Sequence, residues 1–567
     1  MLFSLRMRAF RNSFLLFCLT TLLFALPSSG ADWRSLDQPI GTLVAVETAA
    51  TVNARLGGNP PFETTTDVTT ITTGVPQYFV RFYNPTDPVN PSGPLGSWIM
   101  RAAAVRGLTP TEVRDLFALP SMPTNMTMIL VPAGYNMYTG IAGPIAGWGP
   151  GGGLQSKLIG PPWVPEGNFF NRQAVMDYVL SYRLLAPDGN AGRIAAYLDG
   201  RIPAAYTDLE LVYLNLDMLY TRDTSIRFRR ALDQIGPGRY DLLAKNGLYA
   251  AVLFTDAVDS RISSLFSGKP SDLPVFNQFA GHALPMETEK QDNLEKGVWA
   301  RALGGIQRAG DLGFNSSSGG VFGGSERQVS RDAIAGFSIG FLHSSLDWTT
   351  EPGGGASTDY ANIGIYTAWM PDDLFLQGGI GGGFARSDAS RRIAFSNIDR
   401  TAFSEPKGWD ANGRVRIGYR LPIAALDVVP TAGMDFYYQY RESFIETGAD
   451  SLNLRVSAIR SRTLRHQLGV DFSKDLAIGN GMRIAPRLQI GWGREHYLDD
   501  RGVTSGLDNQ SGEFTVYGDS ETADIYRTGA GVSLLAGKRF SLFSHYTLEY
   551  RDDRKDHMLY AGLDYRF

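Results

Sequence analysis

The sequence predicts an all-β C-terminal part, a twelve-stranded antiparallel transmembrane β-barrel, preceded by a mixed α/β N-terminal region and a helical linker. Three observations predict it: apolar and polar residues alternate over long segments, tight breaks alternate with long ones, and turn residues abound. Glycine supplies 64 of the 567 residues and aromatic residues 11%, which suits strands and turns better than a helix bundle. The 53 Lys and Arg balance 57 Asp and Glu, so charge gives no indication of nucleic-acid binding.

The alternation is clearest at the end of the chain. The final strand places Leu563, Tyr565 and Phe567 on one face and Asp564 and Arg566 on the other. A soluble half-buried strand alternates in the same way, so a soluble all-β sandwich is the alternative. This part of the chain divides into twelve candidate strands: 297–308, 318–328, 332–348, 356–370, 373–388, 408–420, 423–444, 461–476, 481–499, 524–537, 539–554 and 556–567.

The connections between these strands favour the barrel. Breaks after the even-numbered strands are tight, as at Pro371-Asp372, whereas most breaks after odd-numbered strands are longer and polar, as at Ser387–Lys407. Short turns at one rim, long loops at the other and an even strand count are typical of an outer-membrane barrel. We therefore expect outer-membrane lipid around this part of the protein.

The N-terminus has the order of a secretory signal peptide. Three arginines among the first eleven residues precede an apolar run up to Leu26, and small residues follow as far as Ala31. This order predicts a signal peptide over 1–31, read by the Sec export machinery. The alternative, an uncleaved anchor, needs a longer apolar run. The only cysteine, Cys18, lies inside this run, so the mature chain has no thiol for a disulfide, nucleophile or metal site.

Residues 32–165 are predicted to form a passenger-like N-terminal domain, and 166–285 a helical linker. The first segment carries strand-like pieces, and a helix is predicted over Thr109–Ala118 because Thr109 and Glu112 form the pattern of a capping box. In the linker, apolar residues recur at helical spacing in three stretches. These stretches are Val175–Leu185, Leu209–Leu219 and Leu248–Val258.

Two short segments resemble the β-domain of autotransporters, the type V secretion systems of Gram-negative bacteria. Gly297–Arg301 resembles the first strand of that family and Tyr560–Phe567 its last strand, while Ala231–Tyr240 and Phe254–Ile262 resemble the helical stretch ahead of such barrels. The resemblance implies that 297–567 is a barrel that translocates and anchors an N-terminal passenger. It also implies recognition by the outer-membrane barrel assembly machinery, through a terminal signal comprising Phe567, Tyr565 and Leu563.

The resemblance further implies a helix that threads the pore before the first strand. Residues 286–296 are predicted to be this pore helix, and the lumen residues facing it are predicted to be Arg414, Arg416, Arg465, Arg487 and Glu549. The compatible alternative is an ordinary hydrogen-bonded polar interior. Some autotransporters release the passenger by cyclisation of an asparagine, and Asn293 lies about where that residue would be. Because Asp292 stands where the family has a second asparagine, a solvated helix residue is the favoured interpretation.

Three hypotheses about function follow from these patterns. Residues 32–165 contain no His and no Cys, so a Ser-His-Asp or Cys-His nucleophile or a His-based zinc site cannot be assembled within them. We expect no enzyme activity, no cofactor and no metal, and we favour a small surface domain that acts in binding or adhesion. A second hypothesis is a transport or structural barrel with a periplasmic N-terminal domain. A third is an enzymatic passenger that uses only carboxylates, for which Glu63, Asp67 and Glu112 are available.

Overall fold

The computed structural model describes residues 41–566 except 75, 162, 205–206, 221–224, 267–295, 331, 424–425, 480–481 and 537–538. The predicted signal peptide, Asn293, Phe567 and all but the last residue of the predicted pore helix lie outside the described residues. The chain forms two compact units. One comprises the chain up to Val179 with Pro203–Leu211, and the other comprises Leu180–Ile202 with Val212–Phe567.

The first unit is built on one antiparallel sheet of eight strands, in the order β1-β2-β6-β7-β4-β3-β5-β8. Short helices accompany this sheet, so the mixed α/β prediction is confirmed. The strands are β1 (Gly41–Thr48), β2 (Asp67–Thr73), β3 (Gln77–Tyr83), β4 (Trp98–Met100), β5 (Asn125–Val131), β6 (Asn136–Ile141), β7 (Leu154–Ile159) and β8 (Phe169–Ala174). The helices are α1 (Ala49–Leu56), α2 (Ala102–Val105) and α3 (Pro110–Leu116).

Two clusters of buried apolar side chains hold this unit together. One cluster gathers Phe79, Ile129 and Val131 from the central strands, and a second packs Val52 of α1 against Phe62. Each fully buried apolar side chain of this size contributes about 1.5–3 kcal/mol of burial free energy. The alternation of β3 and β5 thus places their apolar residues in a common core.

The helix α3 begins with the predicted capping box. The Thr109 hydroxyl accepts a hydrogen bond from the Glu112 backbone N–H, and the Glu112 carboxylate accepts one from the Thr109 N–H at 2.7 Å. These hydrogen bonds satisfy two of the N–H groups that a helix start leaves unpaired. They also lower the pKa of the Glu112 carboxyl group, chiefly through the Thr109 backbone N–H.

We expect Thr109→Ala to destabilise the first unit by about 1 kcal/mol, because one N-terminal N–H loses its partner. Because the pKa of Glu112 is lowered on folding, its contribution is present above the ordinary carboxyl pKa and is lost as the pH falls through the lowered value. Hydrogen exchange of residues 110–116 checks both points. Thr111→Ala is the control, and equal exchange in the two variants would contradict a capping role.

The first unit extends beyond the predicted boundary at residue 165. The strand β8 pairs with β5, a strand some forty residues earlier in the chain, so 166–179 belongs to the sheet rather than to the linker. The helix predicted over Val175–Leu185 is also wrong, because only a 3-10 turn forms, at Tyr182–Leu184. The Asp199 carboxylate accepts a hydrogen bond from the Tyr182 N–H at 2.8 Å, a tertiary contact that competes with a helical hydrogen bond.

The second unit begins with helices and continues into the barrel. The helices are α4 (Gly189–Asp199), α5 (Asp208–Asp217, which starts in the first unit), α6 (Ser225–Ile235) and α7 (Asp241–Phe266). Two of the three helical stretches predicted in the linker therefore form helices. Among the described residues, no helix is long and apolar enough to cross a membrane.

Twelve antiparallel strands close the barrel, as predicted. They are β9 (Lys296–Ala309), β10 (Phe314–Ser330), β11 (Ala333–Trp348), β12 (Gly354–Trp369), β13 (Leu374–Phe395), β15 (Lys407–Tyr419), β17 (Leu426–Arg441), β20 (Ile459–Ser473), β22 (Met482–Tyr497), β25 (Ala523–Ala536), β26 (Phe540–Arg551) and β27 (Arg554–Arg566). Consecutive strands pair around the ring, and β27 pairs with β9. Closure leaves the ring without an unpaired edge.

The two faces of each barrel strand differ as the sequence alternation requires. Outward-facing side chains are apolar and exposed, as Phe384 (74%), Ile363 (66%) and Leu488 (60%) show. Inward-facing side chains include many buried polar and charged groups, among them Arg301 and Arg465. An apolar exterior with a polar interior is the pattern of a transmembrane barrel.

The two rims of the barrel are also different. One rim has short connections, two of them extended by the small strands β16 (Leu421–Ile423) and β21 (Leu476–Gly479). The other, which we call the long-loop rim, carries the remaining strands. These are β14 (Ile398–Ser404), β18 (Phe444–Ile445), β19 (Leu454–Val456), β23 (Gly502–Leu507) and β24 (Phe514–Tyr517).

At the long-loop rim, four of these strands form a separate sheet, β18-β19-β23-β24. The helix α4 packs on it, with the rings of Tyr197 and Phe514 4.6 Å apart. The Asn190 side chain exchanges two hydrogen bonds of 2.9 Å with the Tyr517 backbone. The segment before α7 is thereby fastened to the loops of this rim.

Candidate functional site

The lumen of the barrel is occupied by α7, a helix of 26 residues. At its start, Asp241 pairs with Arg501 of the long-loop rim at 2.7 Å. Near its end, Arg261 pairs with Glu326 and, at 3.0 Å, with Asp564, which lie close to the short-turn ends of β10 and β27. The chain therefore passes through the lumen from the long-loop rim to the short-turn rim in the N-to-C direction.

One face of α7 is apolar and packs against β10, β12 and β13. The ring of Phe254 lies 5.3 Å from that of Phe322. On the facing wall, a Cβ atom added to Gly364 or Gly381 would lie 3.1 or 2.9 Å from the Phe254 ring. These two glycines leave room for the aromatic side chain, so the lumen face of the wall is shaped to the helix.

Another face of α7 carries two buried carboxylates that the barrel wall neutralises. Asp259 pairs with Arg414 and, at 2.8 Å, with Arg416. Asp256 pairs with Arg527 and lies 3.2 Å from Arg414. Two carboxylates are thus paired with three guanidinium groups. Buried charges require such partners because an unpaired buried charge is costly.

Two further hydrogen bonds join α7 to the wall in this central region. The amide of Gln377 donates to Asp259 at 2.5 Å, and the hydroxyl groups of Thr255 and Tyr437 lie 3.2 Å apart. Arg414 also pairs with Asp435 of the wall, with one Nη2–Oδ2 distance of 3.1 Å. The helix and the wall therefore share one connected polar network around Arg414.

A second network fastens the end of α7 to the seam where the first and last barrel strands meet. Arg261 is bound to Glu326 of β10 and Asp564 of β27, and Asp564 also pairs with Arg301 of β9 at 2.5 Å. The Tyr366 hydroxyl donates to Glu326 at 2.7 Å. Since β9, β10 and β27 are neighbours, one helix residue bridges the joint that closes the barrel.

A third network fixes the chain just before α7. The Tyr240 hydroxyl donates to Glu446 at 2.5 Å, and Arg391 pairs with the same carboxylate at 2.5 Å. Arg391 also donates to the backbone carbonyl of Gln234, at the end of α6. All three groups are buried, so the entry to the lumen is held by the loops of the long-loop rim.

The five lumen residues predicted from the sequence have two different roles. Arg414 and Arg416 contact α7 directly, as described above. Arg465 instead pairs within the wall, with Glu495 at 2.7 Å and Glu549 at 3.4 Å. Arg487 pairs with Asp471 of the wall at 2.7 Å.

The helix that Arg414 and Arg416 contact is α7, whereas the predicted pore helix comprised residues 286–296. Residues 286–295 lie outside the described residues, and Lys296 begins β9. Among the described residues, the helix in the lumen is α7, which lies in the segment that the sequence analysis assigned to the helical linker. The signal for this was present: Asp256, Asp259 and Arg261 follow the apolar stretch Leu248–Phe254, and such charges need opposite charges in a buried environment.

Several wall residues that contact α7 escaped the sequence analysis, among them the charged residues Arg527, Glu326 and Asp564. Each lies on the inward face of its strand, so the period-2 pattern places it in the lumen, but nothing local indicates its partner. The predicted assembly-signal residues Leu563 and Tyr565 lie on the outward face of β27, 42% and 40% exposed.

Two of the three predicted carboxylate candidates of the first unit have local partners. Glu63 accepts a hydrogen bond from the Thr65 N–H at 3.3 Å, Glu112 caps α3, and Asp67 begins β2. The pattern is that of turn and cap residues.

Replacing Phe254 with alanine should loosen α7 in the lumen, because a buried phenylalanine that leaves a cavity costs about 3–5 kcal/mol. Hydrogen exchange of residues 248–260 should rise by about two to three orders of magnitude. The control is Phe384→Ala, a phenylalanine on the lipid face. Unchanged exchange in Phe254→Ala would mean that the apolar contact with the wall does not hold the helix.

A comparison with known proteins finds a family match within the barrel. Residues 298–547 match the family model described as the autotransporter β-domain. No curated protein matches the chain.

Several solved structures are similar to the barrel. The translocator domain of the autotransporter NalP from Neisseria meningitidis is 16% identical, with a TM-score of 0.40, over 56% of this chain and 98% of that one. The β-domain of the Bordetella autotransporter BrkA is 19% identical, with a TM-score of 0.37, over 48% of this chain and 100% of that one. The transport unit of AIDA-I from Escherichia coli is 9% identical, with a TM-score of 0.34, over 53% and 100%.

The family match runs from β9 into β26 of the closed ring of twelve strands. It agrees with the apolar exterior and the polar interior of the barrel. The barrel of this chain matches the autotransporter β-domain family over residues 298–547 and has the fold of an outer-membrane β-barrel.

Proposed function

We propose that this barrel translocates the N-terminal part of the chain across the outer membrane and anchors it at the cell surface for binding or adhesion. The observation that carries the proposal is the direction of α7. It enters the lumen at the long-loop rim and ends at the short-turn rim, where β9 begins. In an outer-membrane barrel the long loops face outwards, so the chain before α7 is expected to lie outside.

The way in which α7 is held supports anchoring. Ion pairs with buried partners fix it near its start, its middle and its end, through Asp241, Asp259 and Arg261. Breaking one buried pair costs about 3–5 kcal/mol, so withdrawal of the whole helix would cost several such terms. A helix held in this way is a suitable stalk for a domain that remains attached to the cell.

The alternative is a periplasmic N-terminal domain on a transport or structural barrel. It would require the segment before α7 to reach the periplasm from the long-loop rim, although α4 is packed on the loops of that rim. It would also require a solute path, whereas α7 lies in the lumen. Both observations favour display over the alternative.

We further propose that the first unit binds a partner and does not catalyse a reaction. Of the candidate carboxylates in it, Glu63 lies in a turn and Glu112 caps a helix, and histidine is absent from 32–165. The proposed route to the surface uses Sec export followed by the outer-membrane barrel assembly machinery. The outward-facing Leu563 and Tyr565 of the last strand would be the groups that this machinery reads.

Protease shaving of intact cells tests the proposal, with an antibody against residues 32–165. We expect the epitope to disappear while the barrel, probed separately, survives. A periplasmic protein serves as the control for outer-membrane integrity. If the epitope were lost only after permeabilisation of the outer membrane, the first unit would be periplasmic and display would have to be abandoned.

A further inference from the structure

A patch of basic and aromatic side chains lies on the outward face of the barrel near the long-loop rim. We call it the outer basic patch and define it by Arg460, Arg462 and His466 of β20 and Arg494 and His496 of β22. The pairing of the strands places Arg494 beside His466 and His496 beside Leu464. All five positions alternate with inward-facing residues, so their side chains point away from the lumen.

Aromatic side chains surround this patch. Tyr440 and Tyr438 of β17 lie opposite Arg460 and Arg462, and the Arg460 guanidinium lies 5.8 Å from the centre of the Tyr440 ring. The rings of His466 and His496 stack at 5.1 Å, and Trp492 stands edge-on to His466 at 5.7 Å. Aromatic residues at this level are typical of the girdle that marks the boundary between lipid and water.

The patch carries more positive charge than its carboxylates neutralise. Arg462 and Arg494 lie 3.7 and 3.8 Å from Asp499 and Asp524, beyond hydrogen-bond distance. Within the part of the chain that the structure describes, Arg460 has no carboxylate within ion-pair distance. Three guanidinium groups thus face two loosely held carboxylates.

Basic residues on the opposite side of the barrel are neutralised more tightly. On β13, Arg386 pairs with Glu405 at 3.0 Å and Arg392 pairs with Asp399 at 2.8 Å. On β11, His343 pairs with Asp359 at 2.7 Å. The side chains of Arg386 and Arg392 thus lie within hydrogen-bond distance of their carboxylate partners, whereas the guanidinium groups of Arg462 and Arg494 do not.

We propose that the outer basic patch binds the phosphorylated sugar headgroup of an outer-leaflet glycolipid. Arginine binds phosphate oxygens through paired N–H donors, and exposed aromatic rings pack against the apolar faces of sugars. The patch lies where the acyl chains of such a lipid would meet its headgroup, so the chains would lie on the apolar wall below. The placement in the outer leaflet rests on the orientation of the long-loop rim given under the proposed function. The binding of phosphate by the patch does not depend on that orientation.

Binding of diphosphoryl lipid A to the purified full chain in detergent tests this proposal, by native mass spectrometry. We expect Arg462→Gln/Arg494→Gln to bind about tenfold or more weakly, equivalent to about 1.4 kcal/mol. The matched control is Arg386→Gln/Arg392→Gln, which removes the same charge from outward-facing arginines with tight partners. Dephosphorylated lipid A and phosphatidylglycerol should bind weakly to every variant.

Two outcomes would overturn the proposal. One is equal lipid A binding by the two double variants, which would mean that the outer basic patch contributes no more than surface charge elsewhere on the barrel. The other is equal binding of the phosphorylated and dephosphorylated lipids, which would leave only an acyl-chain contact. Heat-dependent gel mobility verifies that each variant is folded. Because the assay uses purified protein, its failure is independent of whether the first unit reaches the cell surface.

Discussion

Replacing Arg414 with glutamine is expected to open the barrel. Arg414 is the group through which Asp256 and Asp259 of α7 and Asp435 of the wall share one network. Without it, buried carboxylates lose a positive partner, at a cost of about 3–5 kcal/mol. That cost destabilises the state in which α7 fills the lumen. It does not apply to a state in which water solvates the carboxylates of Asp256 and Asp259. We therefore expect α7 to leave its place in a measurable fraction of molecules.

Planar-bilayer recordings of the purified chain measure this effect. Wild type should show low conductance, and Arg414→Gln should show frequent openings of a wide pore. Arg487→Gln is the control, since Arg487 is also a lumen arginine but pairs with Asp471 of the wall. Adding Asp259→Asn to Arg414→Gln should reduce the openings by removing one uncompensated charge. Wild-type conductance in Arg414→Gln would contradict the role given to this network.

Replacing Arg261 with methionine should weaken the barrel itself as well as the helix. Arg261 is 1% exposed and binds Glu326 and Asp564. Its removal therefore takes a positive partner from two buried carboxylates, on the two strands that flank β9. The loss is expected to be about 3–5 kcal/mol, concentrated where β27 meets β9. Breaking this pair should let the seam open at a lower temperature.

The shift from folded to unfolded mobility in gel electrophoresis after heating measures the stability of the barrel. We expect Arg261→Met to shift this transition downwards by at least several degrees, and Arg261→Lys by less, because lysine keeps the charge but not the paired donors. The control, Arg308→Gln, removes an arginine from the outward face of β9. A transition equal to that of wild type in Arg261→Met would show that α7 does not stabilise the seam.

The barrel could be predicted from the sequence because the pattern that defines each strand lies within a short stretch of the chain. Each strand must alternate between a lipid face and a polar face, and Leu563, Tyr565 and Asp564 already show that period in the last strand. All twelve candidate strands correspond to barrel strands in the structure. Closure through β9 and β27 follows from an even strand count with no edge left unpaired.

The contents of the lumen could not be predicted as easily, because they depend on long-range pairing. The period of Leu248–Val258 indicated a helix but gave no position for it. Its position is set by counter-charges more than 150 residues away in the chain, such as Arg414 for Asp259. The pairing of β8 with β5 is a similar long-range contact, and it lies beyond the boundary predicted at residue 165.

The proposed topology can be tested by labelling single cysteines on intact cells. The only native cysteine is Cys18, in the predicted signal peptide, so an introduced cysteine would be the only thiol once that peptide is removed. Val89→Cys marks a 79% exposed position in the first unit, Glu513→Cys marks the long-loop rim, and Ala477→Cys marks a short-turn hairpin. All three require only a membrane-impermeant maleimide and a gel.

We predict that Val89→Cys and Glu513→Cys react on intact cells, and that Ala477→Cys reacts only after the outer membrane is permeabilised. This pattern would place the first unit and the long loops on the same, outer side. Labelling of Val89→Cys only after permeabilisation, with Glu513→Cys labelled on intact cells, would contradict surface display while leaving the barrel and its orientation intact.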